Sequence, residues 1–151
     1  MKTESWPPAK RTWGDAAVDG LLSGVVAGLV MAAYVLIVGL LSGTSWEAVL
    51  AQFDPGLNPA PLTGGLTHLA VAGVYGALFG VGWRALHRAW PRLPALLAGA
   101  GFGGVLWVLA VVVTGSRASG EWLRALPAAH LAVAHLLYGV SVGFAIQRLH
   151  R

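Results

Sequence analysis

Hydrophobic residues fall in four long runs, which polar or turn-forming segments separate. The runs cover residues 20–41, 66–83, 93–113 and 128–146. At a rise of about 1.5 Å per residue, helices of these lengths extend roughly 27–33 Å, which matches a hydrocarbon core of about 30 Å. The strands of a membrane barrel would instead be about 10 residues long and alternate in polarity. The pattern therefore predicts an all-α integral membrane four-helix bundle, preceded by a polar tail over residues 1–19.

The composition agrees with a chain that lies mostly in lipid. Its 151 residues are 56% hydrophobic and 11% charged, with a mean hydropathy of +0.68. Soluble domains carry about 25% charged residues, so too little charge remains here to solvate a globular surface. The chain has no cysteine, which excludes a disulfide, a thiolate metal site and a cysteine nucleophile.

The positions of the basic residues predict the orientation of the bundle. If the N-terminus lies inside, the outer segments contain only Arg117 and Arg124. The other basic residues are all inner ones, namely Lys2, Lys10, Arg11, Arg84, Arg88, Arg92, Arg148 and Arg151. This bias follows the positive-inside rule and predicts that both termini are cytoplasmic. Because these residues occupy tails and loops, they do not form a patch that would bind nucleic acid.

A short helix is predicted in the first outer loop. Thr44 and Glu47 have the spacing of a capping box, with Thr44 as the N-cap. The apolar residues that follow recur on one face of a two-turn helix: Trp46, Val49, Leu50 and Phe53. We expect this helix to lie flat in the outer membrane interface. A similar pattern recurs over residues 119–127.

Small residues recur every four positions in all four runs. Helices in a bilayer gain little from hydrophobicity when they associate, whereas glycine lets two backbones approach closely. We therefore predict helix-packing roles for Gly20, Gly24, Gly28, Gly76, Gly80, Gly99, Gly103, Gly139 and Gly143. Tyr75-Gly76 and Tyr138-Gly139 occupy matching positions, which favours the hypothesis of a tandem two-helix repeat about an axis along the membrane normal.

Three histidines in the spans are the candidate functional residues, because polar groups in lipid are rare and costly. His135 shares a helix face with Gly139 and Gly143, whereas His130 is turned about 140° away from it. One hypothesis is that His68, His130 and His135 only hydrogen-bond neighbouring groups. In a second, His68 and His135, with His130 as a further candidate, bind haem b as axial ligands. In a third, His135 and Tyr138 form a quinone or proton site. The spacing of His130 and His135 does not favour a metal site.

Catalytic signatures are missing from the sequence. No charged residue lies in the middle of a run, which argues against an ion pump or a transporter of charged substrates. Neither a phosphate-binding loop nor a nucleophile elbow is present. We therefore expect no enzyme but a non-catalytic accessory or assembly subunit of a larger bacterial membrane complex, with an electron-transfer complex as one example. Its partners would be the lipid bilayer and other membrane subunits. The alternatives are a small haem b- or quinone-binding protein and a channel or transporter for a neutral solute.

Two features of the sequence are shared with other proteins, namely the glycine-rich first run and the His…Tyr-Gly arrangement in the last run. In both features the chain resembles small, uncharacterised bacterial proteins with four membrane spans. The resemblance implies the membrane bundle and no particular activity.

Overall fold

The structure is a computed structural model that describes residues 11–115 and 128–149, with side chains over 11–112 and 129–149. These residues are helical apart from short connections, and they contain no strand. The helices are α1 (Trp13–Leu41), α2 (Trp46–Ala51), α3 (Pro61–Ala89), α4 (Ala95–Gly115) and α5 (Ala128–Leu149). All but α2 are long and apolar enough to cross a membrane. The prediction of an all-helical fold is thus confirmed for these residues, and the four long helices are those expected of a multi-pass membrane protein. Residues 1–10 and the pattern at 119–127 lie outside the described residues.

Helix α1 begins at Trp13, within the polar segment predicted as the N-terminal tail, and continues into the hydrophobic run that starts at Gly20. The cause is a capping box in which the Thr12 hydroxyl accepts from the Asp15 backbone N–H at 3.1 Å. In return, the Asp15 carboxylate accepts from the Thr12 backbone N–H at 2.6 Å. These bonds satisfy the free donors of a helix N-terminus and start the helix in a polar segment. An ion pair between Arg11 and Asp19, at 2.7 Å, spans the same turns.

Helix α3 is also longer than its hydrophobic run, and it ends at Ala89. The basic segment that follows the second hydrophobic run, beginning at Arg84, is therefore helical as far as Ala89. Arg84 and Arg88 place their guanidinium groups 5.1 and 4.8 Å from the centre of the Trp13 ring. These cation–π contacts join the last turns of α3 to the first turn of α1.

The connection from α1 to α2 shows that Thr44, the predicted N-cap of α2, has a different role. Gly43 adopts a positive φ of 79°. Its N–H bonds to the Leu40 carbonyl at 3.0 Å, and the Thr44 N–H bonds to the Gly39 carbonyl at 2.9 Å. This arrangement closes α1 as a Schellman motif and holds the Thr44 backbone in it. Ser45 is therefore the N-cap of α2, and its hydroxyl accepts from the Ala48 N–H at 3.3 Å.

Asp54 organises the turn that returns the chain to α3. Its carboxylate accepts from the backbone N–H groups of Gly56 and Ala60, each at 2.8 Å. These two hydrogen bonds favour the ionised form and lower the pKa of Asp54 below its ordinary value of 3.8. The turn thereby fixes where Pro61, the first residue of α3, enters the bundle.

We expect the Asp54 turn to make the folded protein sensitive to acid. Because the pKa of Asp54 is lower in the folded state, its stabilising effect is complete above the unfolded pKa and disappears as pH falls through the folded pKa. In detergent, the wild type should therefore unfold at a higher temperature than Asp54→Asn at pH 6, and this difference should shrink below about pH 4. Glu47→Gln, on the exposed side of α2, is the control. Parallel pH profiles for the wild type and Asp54→Asn would contradict the assignment.

Close backbone contacts between glycines join the long helices in two pairs, α1 with α3 and α4 with α5. A Cβ added to Gly24 would lie 2.5 Å from the Ala72 carbonyl oxygen and 2.7 Å from the Gly76 Cα. A Cβ added to Gly103 would collide with the His135 carbonyl oxygen and lie 3.2 Å from the Gly139 Cα. The same close approach involves the remaining contact glycines, Gly20, Gly80, Gly99 and Gly143. Gly28 differs, because a Cβ there would meet the Ala72 side chain at 2.6 Å.

The two helix pairs meet mainly along one side. Helix α1 packs extensively on α5, whereas α3 makes few contacts with α4. We call the end of the bundle where α1 begins and α5 ends the terminal end, and the opposite end the α2 end. The rings of Phe79 and Phe102 join α3 to α4, with centroids 5.3 Å apart, in the half nearer the terminal end. A site therefore forms in the other half, where α3 and α4 are not packed together.

Candidate functional site

A cavity of about 280 Å³ lies in the half of the bundle nearer the α2 end. The four long helices and the turn after α2 contribute to it, and it lies between the α1–α3 and α4–α5 pairs. Its apolar lining consists of Met31, Val35, Phe53, Val71, Ala72, Leu106, Leu109, Ala110 and Leu131. Its polar lining consists of His68, Tyr75, His135 and Tyr138. An apolar pocket with a few converging polar groups is the usual form of a small-molecule site, although this one is near the lower limit of the typical size of roughly 300–1,000 Å³.

His68 is placed by Gly28, which lies opposite it on α1. Because Gly28 has no side chain, the imidazole reaches the α1 backbone, and its Nε2 lies 3.1 Å from the Gly28 carbonyl oxygen. The ring of Phe53, in the turn after α2, packs on the imidazole with centroids 4.7 Å apart. His68 is therefore held between the backbone of one span and an aromatic ring from the connecting segment.

His135 and Tyr138 come from successive turns of α5. The Nδ1 atom of His135 lies 2.8 Å from the carbonyl oxygen of Leu131, one turn earlier in the same helix. The Tyr138 hydroxyl donates to the Ala72 carbonyl oxygen on α3 at 2.6 Å. Tyr138 is buried, with 2% of its surface exposed, and it connects the two helix pairs beside the cavity. The fourth polar residue, Tyr75, is partly exposed on α3.

The structure brings together two of the three histidines considered from the sequence. His68 and His135 both line the cavity, whereas His130 does not. Instead, the Nδ1 atom of His130 lies 2.8 Å from the hydroxyl oxygen of Tyr34, and this pair joins α5 to α1. Each histidine thus has the hydrogen-bonded neighbour that the packing hypothesis expects. For His68 and His135, these bonds occupy one ring nitrogen of each.

A model of a protein family matches residues 15–151, which include all four spans. The chain belongs to the family of unknown function DUF6789. No curated protein and no solved structure matches the chain. Membership of DUF6789 fits the resemblance to uncharacterised small membrane proteins. The cavity, the spans around it and the connecting segment with α2 all lie within the matched region.

Equivalent positions on α3 and α5 line the cavity of this DUF6789 chain. His68, Ala72 and Tyr75 have the spacing i, i+4, i+7 on α3, and Leu131, His135 and Tyr138 have the same spacing on α5. Relative to the tyrosine, the histidine stands one helical turn further away on α3 than on α5.

Phe53 is the lining residue that sequence reasoning placed differently. Its position on the apolar face of a short helix predicted contact with the lipid interface, yet its ring packs on His68. Amphipathic spacing identifies an apolar face but does not distinguish lipid from a neighbouring helix as its environment. Tyr75, which the sequence indicated only as a position of the possible repeat, also lines the cavity, and its spacing from His68 was the signal available for it.

Proposed function

We propose that this protein binds a hydrophobic ligand of quinone type, which enters the cavity from the lipid bilayer. The observation that carries the proposal is the position of the cavity. It lies where α3 and α4 are not packed together, and polar side chains interrupt its apolar walls. A ligand dissolved in lipid would reach His68 and His135 between these helices without passing through water. The apolar lining suits the ring and tail of such a ligand, and the four polar groups suit its oxygen atoms.

The cavity supports a quinone-type ligand better than haem b. A volume of about 280 Å³ suits a single six-membered ring with small substituents. The macrocycle of haem b is several times larger than such a ring and would not fit in this cavity. The Nε2 atom of His68, which would face an iron in the usual axial geometry, lies instead within hydrogen-bonding distance of the Gly28 carbonyl oxygen. An absorption spectrum of the purified protein compares the two ligands directly, since haem b gives a Soret band and a quinone does not.

The proposed orientation of the bundle places its terminal end in the cytoplasm. The arginines of the described residues cluster at the terminal end, as Arg11, Arg84, Arg88, Arg92 and Arg148. The positive-inside rule supports placing this end in the cytoplasm of a bacterium, with the protein in the inner membrane. The cavity and α2 would then lie in the outer half of the membrane, and α2 would be near the outer interface.

The role of an accessory subunit in a larger membrane complex stays a prediction. A quinone site favours an electron-transfer complex as the larger assembly, since quinones carry electrons between such complexes. Purification of the tagged protein from native membranes in mild detergent tests this role. Stoichiometric co-purification of other chains is the expected result, and recovery of this chain alone would contradict it. The channel hypothesis has less support, because Phe79, Trp83 and Phe102 pack in the core towards the terminal end.

We expect a photoreactive azidobenzoquinone with a short alkyl tail to label the cavity. In protein reconstituted into nanodiscs, mass spectrometry should locate the label on cavity residues of α3, α4 and α5, and excess unlabelled short-chain quinone should displace it. Ala110→Trp, which fills the cavity from α4, should weaken binding at least tenfold, a change of about 1.4 kcal/mol. Equilibrium titration of the labelled fraction measures this effect.

Val112→Trp is the matched control for Ala110→Trp. Val112 lies two residues further along α4 and is 67% exposed, so the added ring would enter lipid rather than the cavity. This variant should bind as the wild type does, and both variants should retain the wild-type unfolding temperature within a few degrees. Label spread evenly over lipid-facing residues, with the same affinity in both variants, would refute the proposed site.

A further inference from the structure

The hydrogen-bond partners of the cavity histidines determine which ring nitrogen carries a proton. A backbone carbonyl oxygen only accepts hydrogen bonds, so the nitrogen beside it must be the donor. His68 therefore carries its hydrogen on Nε2, which faces Gly28, and His135 carries its hydrogen on Nδ1, which faces Leu131. A neutral imidazole has one N–H group, so the other nitrogen of each ring is a lone-pair acceptor. These acceptors are Nδ1 of His68 and Nε2 of His135.

The surroundings favour the neutral form of both rings. An imidazolium is costly inside a membrane unless a negative group stands beside it. Among the described side chains that line the cavity, none is a carboxylate, and the remaining polar groups are the hydroxyls of Tyr75 and Tyr138. The two histidines thus remain hydrogen-bond acceptors towards a ligand.

Tyr138 is a further hydrogen-bond acceptor towards a ligand. Its hydroxyl proton is donated to the Ala72 carbonyl oxygen, so its oxygen offers a ligand only lone pairs. Three of the four polar side chains therefore direct their protons to the backbone, at Gly28, Leu131 and Ala72. Among the described residues that line the cavity, Tyr75 is the remaining side chain with a hydroxyl proton to donate. The cavity is consequently rich in acceptors and poor in donors.

From this imbalance we propose that the cavity selects the reduced, hydroxyl-bearing form of the ligand, an aromatic diol of the hydroquinone class, over the oxidised dione. This inference rests on the proposed function and specifies its ligand. A hydroquinone has two O–H donors, which pair with the free nitrogens of His68 and His135. A dione has only carbonyl acceptors, so it would leave both nitrogens unpaired in an apolar cavity, and unpaired buried polar groups are unfavourable.

Selective binding of the reduced form has a measurable consequence for the redox potential of the bound ligand. By thermodynamic linkage, a site that binds the hydroquinone more tightly raises the reduction potential of the bound pair in proportion to the logarithm of the affinity ratio. For a two-electron couple, a tenfold preference corresponds to about 30 mV. The bound ligand would therefore be harder to oxidise than the same compound free in the bilayer.

The test compares trimethylhydroquinone with trimethylbenzoquinone on the full chain in nanodiscs, under anaerobic conditions. The wild type should bind the hydroquinone at least tenfold more tightly. His68→Leu and His135→Leu should each lose most of this preference. His87→Leu, which removes an exposed histidine near the end of α3, should retain it. Equal affinity for the two compounds, or tighter binding of the quinone, would overturn the inference and leave the proposed site intact. Absence of binding by both compounds would overturn both proposals.

Nitrogen-15 NMR of the imidazole rings provides a second, independent readout. In the wild type, Nε2 of His68 and Nδ1 of His135 should have the chemical shifts of protonated nitrogens, and the other two nitrogens those of bare ones. Addition of the hydroquinone should shift the bare nitrogens. The opposite tautomer in either ring would overturn the inference, even if both compounds bind.

Discussion

Replacing Gly24 with alanine is expected to destabilise the bundle, although alanine is the better helix former. The added methyl group would lie 2.5 Å from the Ala72 carbonyl oxygen and 2.7 Å from the Gly76 Cα. Both atoms belong to the helical backbone of α3, so they cannot move aside separately, and the whole helix must shift. Overpacking of this kind costs about 1–3 kcal/mol, which exceeds the gain in helix propensity of at most about 1 kcal/mol. Reversible unfolding in mixed micelles measures the change.

The control for this prediction is Gly82→Ala, on a face of α3 where an added Cβ would have no heavy atom within 4 Å. That variant should be as stable as the wild type or slightly more stable, because it gains only the helix propensity of alanine. Gly103→Ala and Gly101→Ala form the corresponding pair on α4, since Gly103 touches the α5 backbone and Gly101 touches nothing. In both pairs, the variant at the contact glycine should be less stable than the variant at the glycine without neighbours. If Gly24→Ala and Gly82→Ala had equal stability, close backbone packing would not hold α1 to α3.

Similar contacts in the two helix pairs support the hypothesis of a tandem repeat. A Cβ on Gly80 would meet the Ala16 carbonyl, just as one on Gly143 would meet the Ala95 carbonyl. If the halves were fully symmetric, α3 would pack on α4 as closely as α1 packs on α5, yet it makes far fewer contacts. The bond between Tyr34 and His130 lies on the closed side. The cavity thus lies where the two similar halves depart from symmetry.

The helices were predictable from the sequence because each carries a long apolar run, and the spacing of four placed His135 on the same face as Gly139. The start of α1 was not predictable from hydropathy, because Asp15 and Asp19 make its first turns polar and only their partners show that they support a helix. The separation of α3 from α4 was not predictable either. A stripe of small residues shows that a helix has a close neighbour, but it does not identify which helix that neighbour is.

The second large effect is expected at Gly64, which supports α2. A Cβ on Gly64 would collide with the Leu50 carbonyl oxygen and lie 3.2 Å from the Asp54 backbone nitrogen. Gly64→Ala should therefore displace α2 and the turn that follows it from α3. Phe53 would move with them and lose its contact with His68. We expect weaker binding of the quinone probe, because the cavity loses one of its walls.

A single introduced cysteine measures this displacement, since the chain has none of its own. Val49 is fully buried on α2, so the thiol of Val49→Cys should react slowly with a maleimide. Adding Gly64→Ala should raise this rate at least tenfold. Adding Gly65→Ala should leave it unchanged, because a Cβ there would meet only the tips of the Leu50 side chain, at 4.0 Å. Equal rates in the two double variants would mean that α2 is not held by its backbone contact with Gly64, and Phe53 would then need another support to remain a wall of the cavity.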